Sequence, residues 1–213
     1  MLKKHAVLIG TFISISLLIV AAIKYPGGSQ FDINSIGFSW RHNYFSNLFD
    51  AVAMNGAAND GRYWGIAGMF FLTLSFAIFF AEFSKKIPSK SAAKVIKYFG
   101  WAGTFFAFLI ATPLHNLMIG LSSTMFLIGM FYVTVFVFKS RLHLFKFLCI
   151  ACLLLFYYTL YIYYAGVQRD ILPVVQKVTY ASTLLVILGL AYFTSREDFV
   201  GQKKQMETNE FSK

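Results

Sequence analysis

Residues 63–81 have the sequence YWGIAGMFFLTLSFAIFFA, an apolar stretch that contains no Asp, Glu, Lys or Arg. A helix that rises about 1.5 Å per residue needs roughly 20 such residues to cross the hydrocarbon core of a bilayer. Backbone polar groups in lipid must be paired within the segment, and the stretch does not alternate as a barrel strand does. It is therefore predicted to be a transmembrane helix.

Five further stretches have the same character. Together the six occupy most of this 213-residue chain, of which 58% is hydrophobic and 13% charged. The predicted spans are residues 6–23, 63–81, 98–118, 121–138, 147–165 and 171–194. With no internal repeat and no soluble block, the sequence predicts an all-α fold. It is a polytopic six-helix transmembrane bundle in one domain, residues 1–194, followed by a cytoplasmic tail, residues 195–213.

The 19 Lys and Arg residues are divided unequally between the two ends of the predicted spans. Fourteen lie before the first span, after the second, after the fourth or after the sixth, and five lie on the opposite side. Such a bias in short loops places both termini in the cytoplasm, here inside a bacterial or archaeal plasma membrane. The net charge of +10 follows from this topology. Because the basic residues are scattered over separate loops, they argue against a nucleic-acid partner.

The one long connection, residues 24–62, is predicted to lie outside the cell and to carry an amphipathic helix over residues 39–54. At 100° per residue, its aromatic and aliphatic side chains, such as Trp40 and Tyr44, fall on one arc and its polar side chains on the other. Such a helix lies flat at the membrane interface or caps the bundle with its polar arc turned inward.

Three polar residues of this predicted helix, His42, Ser46 and Asp50, follow each other at intervals of four and share one stripe. Together with His115 from the third span, they are the residue types of a hydrolase site. Ser46 occupies the middle of the stripe, where a triad needs its base, so a solvated polar face remains the alternative. The His-x-x-x-His pair of a helical zinc site is missing, and we predict neither a metal nor a cofactor.

The third and fourth spans are predicted to be joined by a reversal at Gly120, directly before Ser122 and Ser123. The first N–H groups of a helix, with hydroxyls beside them, can bind an anion. The alternative is that Ser122 or Ser123 only caps the helix. His115 lies near the end of the third span, on the same side.

Lys177 lies about two turns inside the sixth predicted span, next to Gln176. An unpaired cation at that depth is costly, so the side chain either faces the bundle interior with a partner or extends to the headgroups. The nearest carboxylates on that side are Asp50, Asp60 and Asp170. A bound anion would satisfy an inward-facing Lys177 equally well.

Several short motifs of the first loop and the last span resemble those of a known family. They are Tyr25-Pro26-Gly27-Gly28, Gly37-Phe38-Ser39, Asn43-Tyr44-Phe45-Ser46-Asn47-Leu48, Asn55-Gly56 with Asn59, and Gln176-Lys177. On these residues the chain resembles the multi-pass membrane protein family catalogued as domain of unknown function 998. Members of that family more often have Asp and Gly where this chain has Asn47 and Phe49. The resemblance implies a six-span fold and its topology, and no particular activity.

Two classes of function follow from the polar residues of the predicted outer face. In the first, the protein binds or moves a lipid headgroup or a small anionic ligand, with membrane lipid as its partner. The candidate ligand-binding residues are Lys177, Gln176, His115, Ser122, Ser123, Asn43, Ser46, Asn47, Asn55, Asn59, Asp60, Arg169 and Asp170.

In the second class, an intramembrane hydrolase acts on a lipid-like substrate. Its candidate catalytic residues are Ser46, His42, His115 and Asp50, the last three also being candidates for holding a metal. A non-enzymatic membrane scaffold is a third alternative. The sequence carries no signal for the oligomeric state.

Overall fold

A computed structural model describes residues 2–200, with side chains from His5 onward. Six helices account for most of that part of the chain: α1 (Leu2–Lys24), α2 (Arg62–Ser84), α3 (Lys90–Phe108), α4 (His115–Lys139), α5 (His143–Ala165) and α6 (Leu172–Phe193). All six are long and apolar enough to cross a membrane, and the described residues form no strand beyond isolated bridges. The all-α class with six membrane-length helices is therefore confirmed. Most of the predicted tail, residues 195–213, lies outside the described residues.

Helices that follow each other along the chain pack together: α1 with α2, α3 with α4, and α5 with α6. Short connections make each pair antiparallel. The centre of the bundle is formed by α2 and α4, which bury 50% and 44% of their spans inside the protein, compared with 28% or less for the other helices. Because lipid tails are as apolar as the side chains, such helices associate through close packing.

Glycine permits the closest approach between α3 and α4. A Cβ atom at Gly103 would lie 2.7 Å from the amide nitrogen of Phe126. One turn earlier, Gly100 faces the ring of Phe80 from α2. Phe126 also stacks on Phe156 of α5, with the ring centroids 5.5 Å apart. The bundle centre is thus an aromatic cluster into which the glycine face of α3 fits.

The turn between α3 and α4 differs from the predicted one. The helix ends at Phe108, and the chain reverses at residues 112–114 instead of at Gly120. Pro113 has no N–H to donate and excludes the residue before it from the helical region. Thr112 accordingly has an extended backbone, with φ −113° and ψ 168°. Pro113 therefore ends the third span.

This shift moves two candidate residues. The predicted spans 98–118 and 121–138 become Lys90–Ala111 and His115–Lys139, so Ser122 and Ser123 lie about two turns inside α4. Both side chains are buried. The prediction that they cap the helix or stand at its first N–H groups is wrong, because the helix begins earlier than its apolar pattern indicated.

The loop between α1 and α2 contains no amphipathic α-helix. Over residues 39–54 the structure has a single 3-10 helix, Phe45–Phe49. Asn43 Oδ1 and Asn47 Oδ1 each accept a hydrogen bond from a preceding backbone amide at 2.8 Å. Side-chain bonds of this kind compete with helical hydrogen bonds. The prediction of an amphipathic helix from hydrophobic periodicity is therefore wrong. As a consequence, His42, Ser46 and Asp50 do not lie on one face of a helix.

Buried polar groups nevertheless hold this loop in one compact structure. Asn59 Nδ2 donates to the Asp50 carbonyl at 2.9 Å, and the Tyr25 hydroxyl accepts from the Met54 amide at 3.0 Å. Burial raises the pKa of the Tyr25 phenol. Gly28, with φ +81°, lies so close to the backbone of Asn55 that no side chain fits at this position. The loop covers the end of the bundle at which α1 ends and α2 begins.

Candidate ligand-binding site

A cavity of about 390 Å³ lies between the helices, beneath the loop. All six helices and the loop contribute to its walls. Most of the lining side chains are apolar, among them Ile15, Leu18, Ile19, Phe49, Met69, Leu72, Phe76, Ile119, Phe126, Phe156, Leu160, Leu172 and Leu184. A volume of this size is in the range of pockets that hold small organic ligands.

The cavity is deep along the helix axes. On α6 its lining runs from Leu172, the first helical residue, to Leu184. At a rise of about 1.5 Å per residue this is roughly 18 Å. One leaflet contributes about half of the roughly 30 Å hydrocarbon core. The cavity therefore extends from the loop to about the middle of the bundle.

Hydroxyl side chains in the deep wall are mostly satisfied within the protein. Thr73 Oγ1 donates to the Met69 carbonyl at 3.0 Å, and Thr183 Oγ1 donates to the Thr179 carbonyl at 2.8 Å. Because such bonds use the hydroxyl proton, these residues offer a ligand little hydrogen bonding. Ser14 is different: its Oγ is buried without a partner among the described residues. The deep part of the cavity is therefore suited to a hydrocarbon chain.

The lining residues with an amide or imidazole side chain lie at the loop end of the cavity. Ser46, His115 and Gln176 all line it there. Gln176 Oε1 accepts from the Phe45 amide at 3.2 Å and joins α6 to the loop. His115 Nδ1 lies 3.1 Å from Asn116 Oδ1, which also accepts a hydrogen bond from a tyrosine hydroxyl of α5. The cavity thus has a polar rim and an apolar interior.

Lys177 does not line this cavity, and among the described residues it forms no ion pair. Its Nζ donates to the carbonyl of Asn43 at 2.6 Å and to the carbonyl of Pro173 at 3.0 Å. The ammonium also lies over the rings of Phe38 and Phe45, at 5.6 and 5.5 Å from their centroids. Lys177 therefore points toward the loop, and carbonyls with aromatic faces take the place of the Asp partners considered from the sequence.

Two of the four candidate catalytic residues, Ser46 and His115, line the same cavity. Asp50 and His115 interact electrostatically. Burial raises the pKa of the Asp50 carboxyl, and the Asn47 side chain and then His115 offset part of that rise. Among the described residues no hydrogen bond joins Ser46 to His115. His42 lies apart, with its ring 5.3 Å from that of Phe31.

Of the remaining candidate residues, Ser122 and Ser123 line this cavity from α4, and six others belong to the loop or to the surface. Asn43, Asn47 and Asn59 are buried, and their amides hold the loop together. The side chains of Asn55, Asp60 and Asp170 are exposed. Within residues 2–200, none of these six lines the cavity described above. Nor do His42, His115 and Asp50, or any other described His, Cys, Asp and Glu residues, form a group of three able to hold a metal.

A second cavity, of about 400 Å³, adjoins the first at the loop end. Its lining consists of Gln30, Phe31, Tyr44, Tyr163, Arg169 and Leu172. Three of these residues, Tyr44, Tyr163 and Leu172, also line the first cavity. Arg169 is thus the one candidate cation that lines either of these two cavities in the described part of the chain.

Sequence reasoning missed the residues that give the site its shape. The sequence pattern places Tyr44 on the apolar arc of the predicted loop helix, and Tyr163 is not among the candidate residues, although both line the two cavities. One signal was available in α6, where Gln176, Thr179 and Thr183 fall on one face of an otherwise apolar helix. A polar stripe of this kind indicates a face turned toward protein or a cavity.

The six apolar helices are those expected of a multi-pass membrane protein, here with a cavity inside the bundle. No protein family model, curated protein or solved structure matches the chain.

Proposed function

We propose that this protein is an integral membrane protein that binds a membrane lipid, holding one hydrocarbon chain in the cavity between its helices. The observation that supports this most directly is the cavity of about 390 Å³ with a polar rim at the loop and an apolar interior. Such a division matches an amphipathic molecule, whose head stays near the interface while its chain enters the bundle.

The energetics favour a chain over a small polar solute. Each buried CH₂ group contributes about 0.8 kcal/mol, whereas a polar group moved into this lining without a hydrogen bond costs roughly 1–3 kcal/mol. A depth comparable with one leaflet suits an acyl chain already aligned with the helices. The ester and glycerol groups that join the chain to its head then lie beside Ser46, His115 and Gln176.

The test compares two neighbouring positions on α4. Ser123 is buried and lines the cavity, whereas Thr124 is exposed on the outer surface of the helix. Ser123→Phe fills the cavity, so we expect it to abolish the lipid that native mass spectrometry detects on the parent protein. Thr124→Phe adds the same ring outside the cavity and should retain the lipid.

If Ser123→Phe does not fold, Leu184→Phe repeats the test by adding volume at the deep end of the cavity. Retention of the same lipid at the same occupancy in a folded cavity-filling variant contradicts the proposal.

A second candidate function is hydrolysis of an ester of such a lipid. It is supported by Ser46 and His115, which line one cavity, and by the electrostatic effect of His115 on the Asp50 carboxyl. Ser46 would be the nucleophile and His115 the base that takes its proton. A fluorophosphonate probe tests this, because Ser46 Oγ would form a bond to phosphorus as fluoride leaves. We expect labelling of the parent and of Ser35→Ala, and none of Ser46→Ala. Labelling of Ser46→Ala, or an unlabelled parent, contradicts the hydrolase.

A further inference from the structure

We propose that the second cavity is the headgroup site of the same lipid, and that Arg169 makes it selective for an anionic head such as a phosphate. This inference rests on the proposed binding of a lipid chain in the first cavity. It names the class of ligand, an acidic amphiphile, and the residue that distinguishes it from a neutral or zwitterionic one.

The two cavities are placed as the parts of one amphiphile. They share Tyr44, Tyr163 and Leu172, so the two cavities adjoin at these three side chains. Leu172 is the first residue of α6, which places the second cavity at the level of the helix end. A chain extending from there along α6 fills the first cavity as far as Leu184.

Arg169 is available for an anion. Within residues 2–200 its guanidinium makes no ion pair, and no hydrogen bond connects it to another side chain or carbonyl. Its five N–H donors form a planar fork that matches phosphate or carboxylate oxygens. A charge-assisted pair of such bonds is roughly twice as strong as neutral hydrogen bonds. None of the six residues that the structure places around this cavity is acidic.

The backbone beneath Arg169 is shaped to receive it. Gly166 ends α5 in the left-handed region, with φ +69°, and its amide donates to the Ile162 carbonyl at 3.1 Å. A Cβ atom at Gly166 would lie 3.0 Å from Arg169 Nη2. Glycine therefore serves two needs at this position, the left-handed helix cap and the close approach of the guanidinium.

The surrounding side chains supply donors rather than competing charges. Burial raises the pKa of the Tyr44 phenol, and the nearby Arg169 charge offsets part of that rise. The phenol therefore stays protonated at neutral pH and can donate to an anion. Lys177, the other cation near this end of α6, is already bonded to two carbonyls. Arg169 is therefore the residue that distinguishes an anionic headgroup from a neutral or zwitterionic one.

Three probes separate the chain from the head. Lauroyl lysophosphatidate carries an anionic head, lauroyl lysophosphatidylcholine carries the same chain with a zwitterionic head, and glycerophosphate carries the anion without a chain. Binding to the full-length protein in nanodiscs is measured by thermal stabilisation over a concentration series. We expect the lysophosphatidate to bind about tenfold or more tightly than the lysophosphatidylcholine, and glycerophosphate to give no stabilisation at the same concentrations.

Arg169→Gln should remove that preference, chiefly by weakening the binding of the lysophosphatidate. The matched control is Arg41→Gln, which removes the same charge from an exposed loop position that lines neither cavity. It should keep the full preference for the anionic head.

The outcomes distinguish this inference from the proposed function. If both lipids bind but Arg169→Gln keeps the preference, or the parent has none, the headgroup site is wrong and chain binding stands. If glycerophosphate stabilises the parent as well as the lysophosphatidate does, the site takes a free anion and the inference is overturned. If neither lipid binds the parent, the proposed function itself fails.

Discussion

At the scale of the residue, the role of Lys177 depends on its contacts and not on its depth. The cation lies within α6, and its hydrogen bond to the Asn43 carbonyl joins that helix to the loop, whereas its bond to the Pro173 carbonyl stays within the helix. A lysine that only extended to the headgroups would be replaceable by a methionine at little cost. A lysine that donates to a buried carbonyl cannot be replaced by methionine at little cost, because the carbonyl would be left without a donor.

Lys177→Met should therefore lower the free energy of unfolding by roughly 2 kcal/mol, the range for a hydrogen bond to a charged group. Thermal unfolding in detergent measures the loss, and limited proteolysis should cut the loop faster than in the parent. Lys24→Met, at the exposed end of α1, is the control and should be neutral. Unchanged stability and unchanged proteolysis for Lys177→Met would show that the two bonds contribute nothing.

The raised pKa of the Asp50 carboxyl predicts that the free energy of unfolding depends on pH. Burial raises this pKa above the ordinary value of 3.8. The folded protein therefore binds this proton more tightly than the unfolded chain does. The resulting stabilisation is fully present below the ordinary pKa and is lost as the pH rises through the raised pKa.

Asp50→Asn keeps an acceptor for the Asn47 side chain and removes the carboxylate charge. We expect its melting temperature to exceed that of the parent at pH 7, and the difference to shrink as the pH falls toward 3.8. Melting curves of both proteins over this range provide the measurement. A parent that is more stable than Asp50→Asn at pH 7 would reverse the sign of the argument.

At the scale of the element, two helical glycines with different surroundings predict opposite responses to alanine. At Gly103 a Cβ would lie 2.7 Å from the backbone nitrogen of Phe126, and neither backbone can move without separating α3 from α4. At Gly120 the one neighbour is the hydroxyl of Tyr164, 3.2 Å away at the end of a flexible side chain.

Gly103→Ala should destabilise the bundle by about 1–3 kcal/mol through overpacking. Gly120→Ala should be neutral or stabilising by up to about 1 kcal/mol, because alanine favours the helix. Thermal unfolding of both variants in one detergent makes the comparison. Equal effects of the two substitutions would mean that the close approach of α3 to α4 does not limit packing.

At the scale of the whole molecule, the 14 to 5 division of Lys and Arg predicts that the loop over the cavity lies outside the cell. A cysteine at the exposed loop residue Asn34 should react with an impermeant thiol reagent in intact cells, and one at the exposed Ser91 should not. The native Cys149 and Cys152 are buried and provide a low background. Labelling at Ser91 alone would place the loop in the cytoplasm.

Much of the fold could be predicted because a spanning helix is a local property. Six stretches are apolar and long enough, and each became a helix at nearly the expected place. The predictions failed where local backbone restrictions or side-chain hydrogen bonds opposed the structure that the hydrophobic pattern indicates. Pro113 moved the turn between α3 and α4, and the amides of Asn43 and Asn47 replaced the helix expected in the loop.

The class of the protein, its six membrane-length helices and the charge asymmetry of its ends follow from the amino-acid sequence, because these features depend on composition along a contiguous stretch. Which polar residues meet depends instead on how the helices and the loop pack together. The cavity takes side chains from six helices and a loop, and the partners of Lys177 lie 134 residues away at Asn43 as well as one turn away at Pro173. Packing sets such distances through space, and no periodicity within a single helix records them.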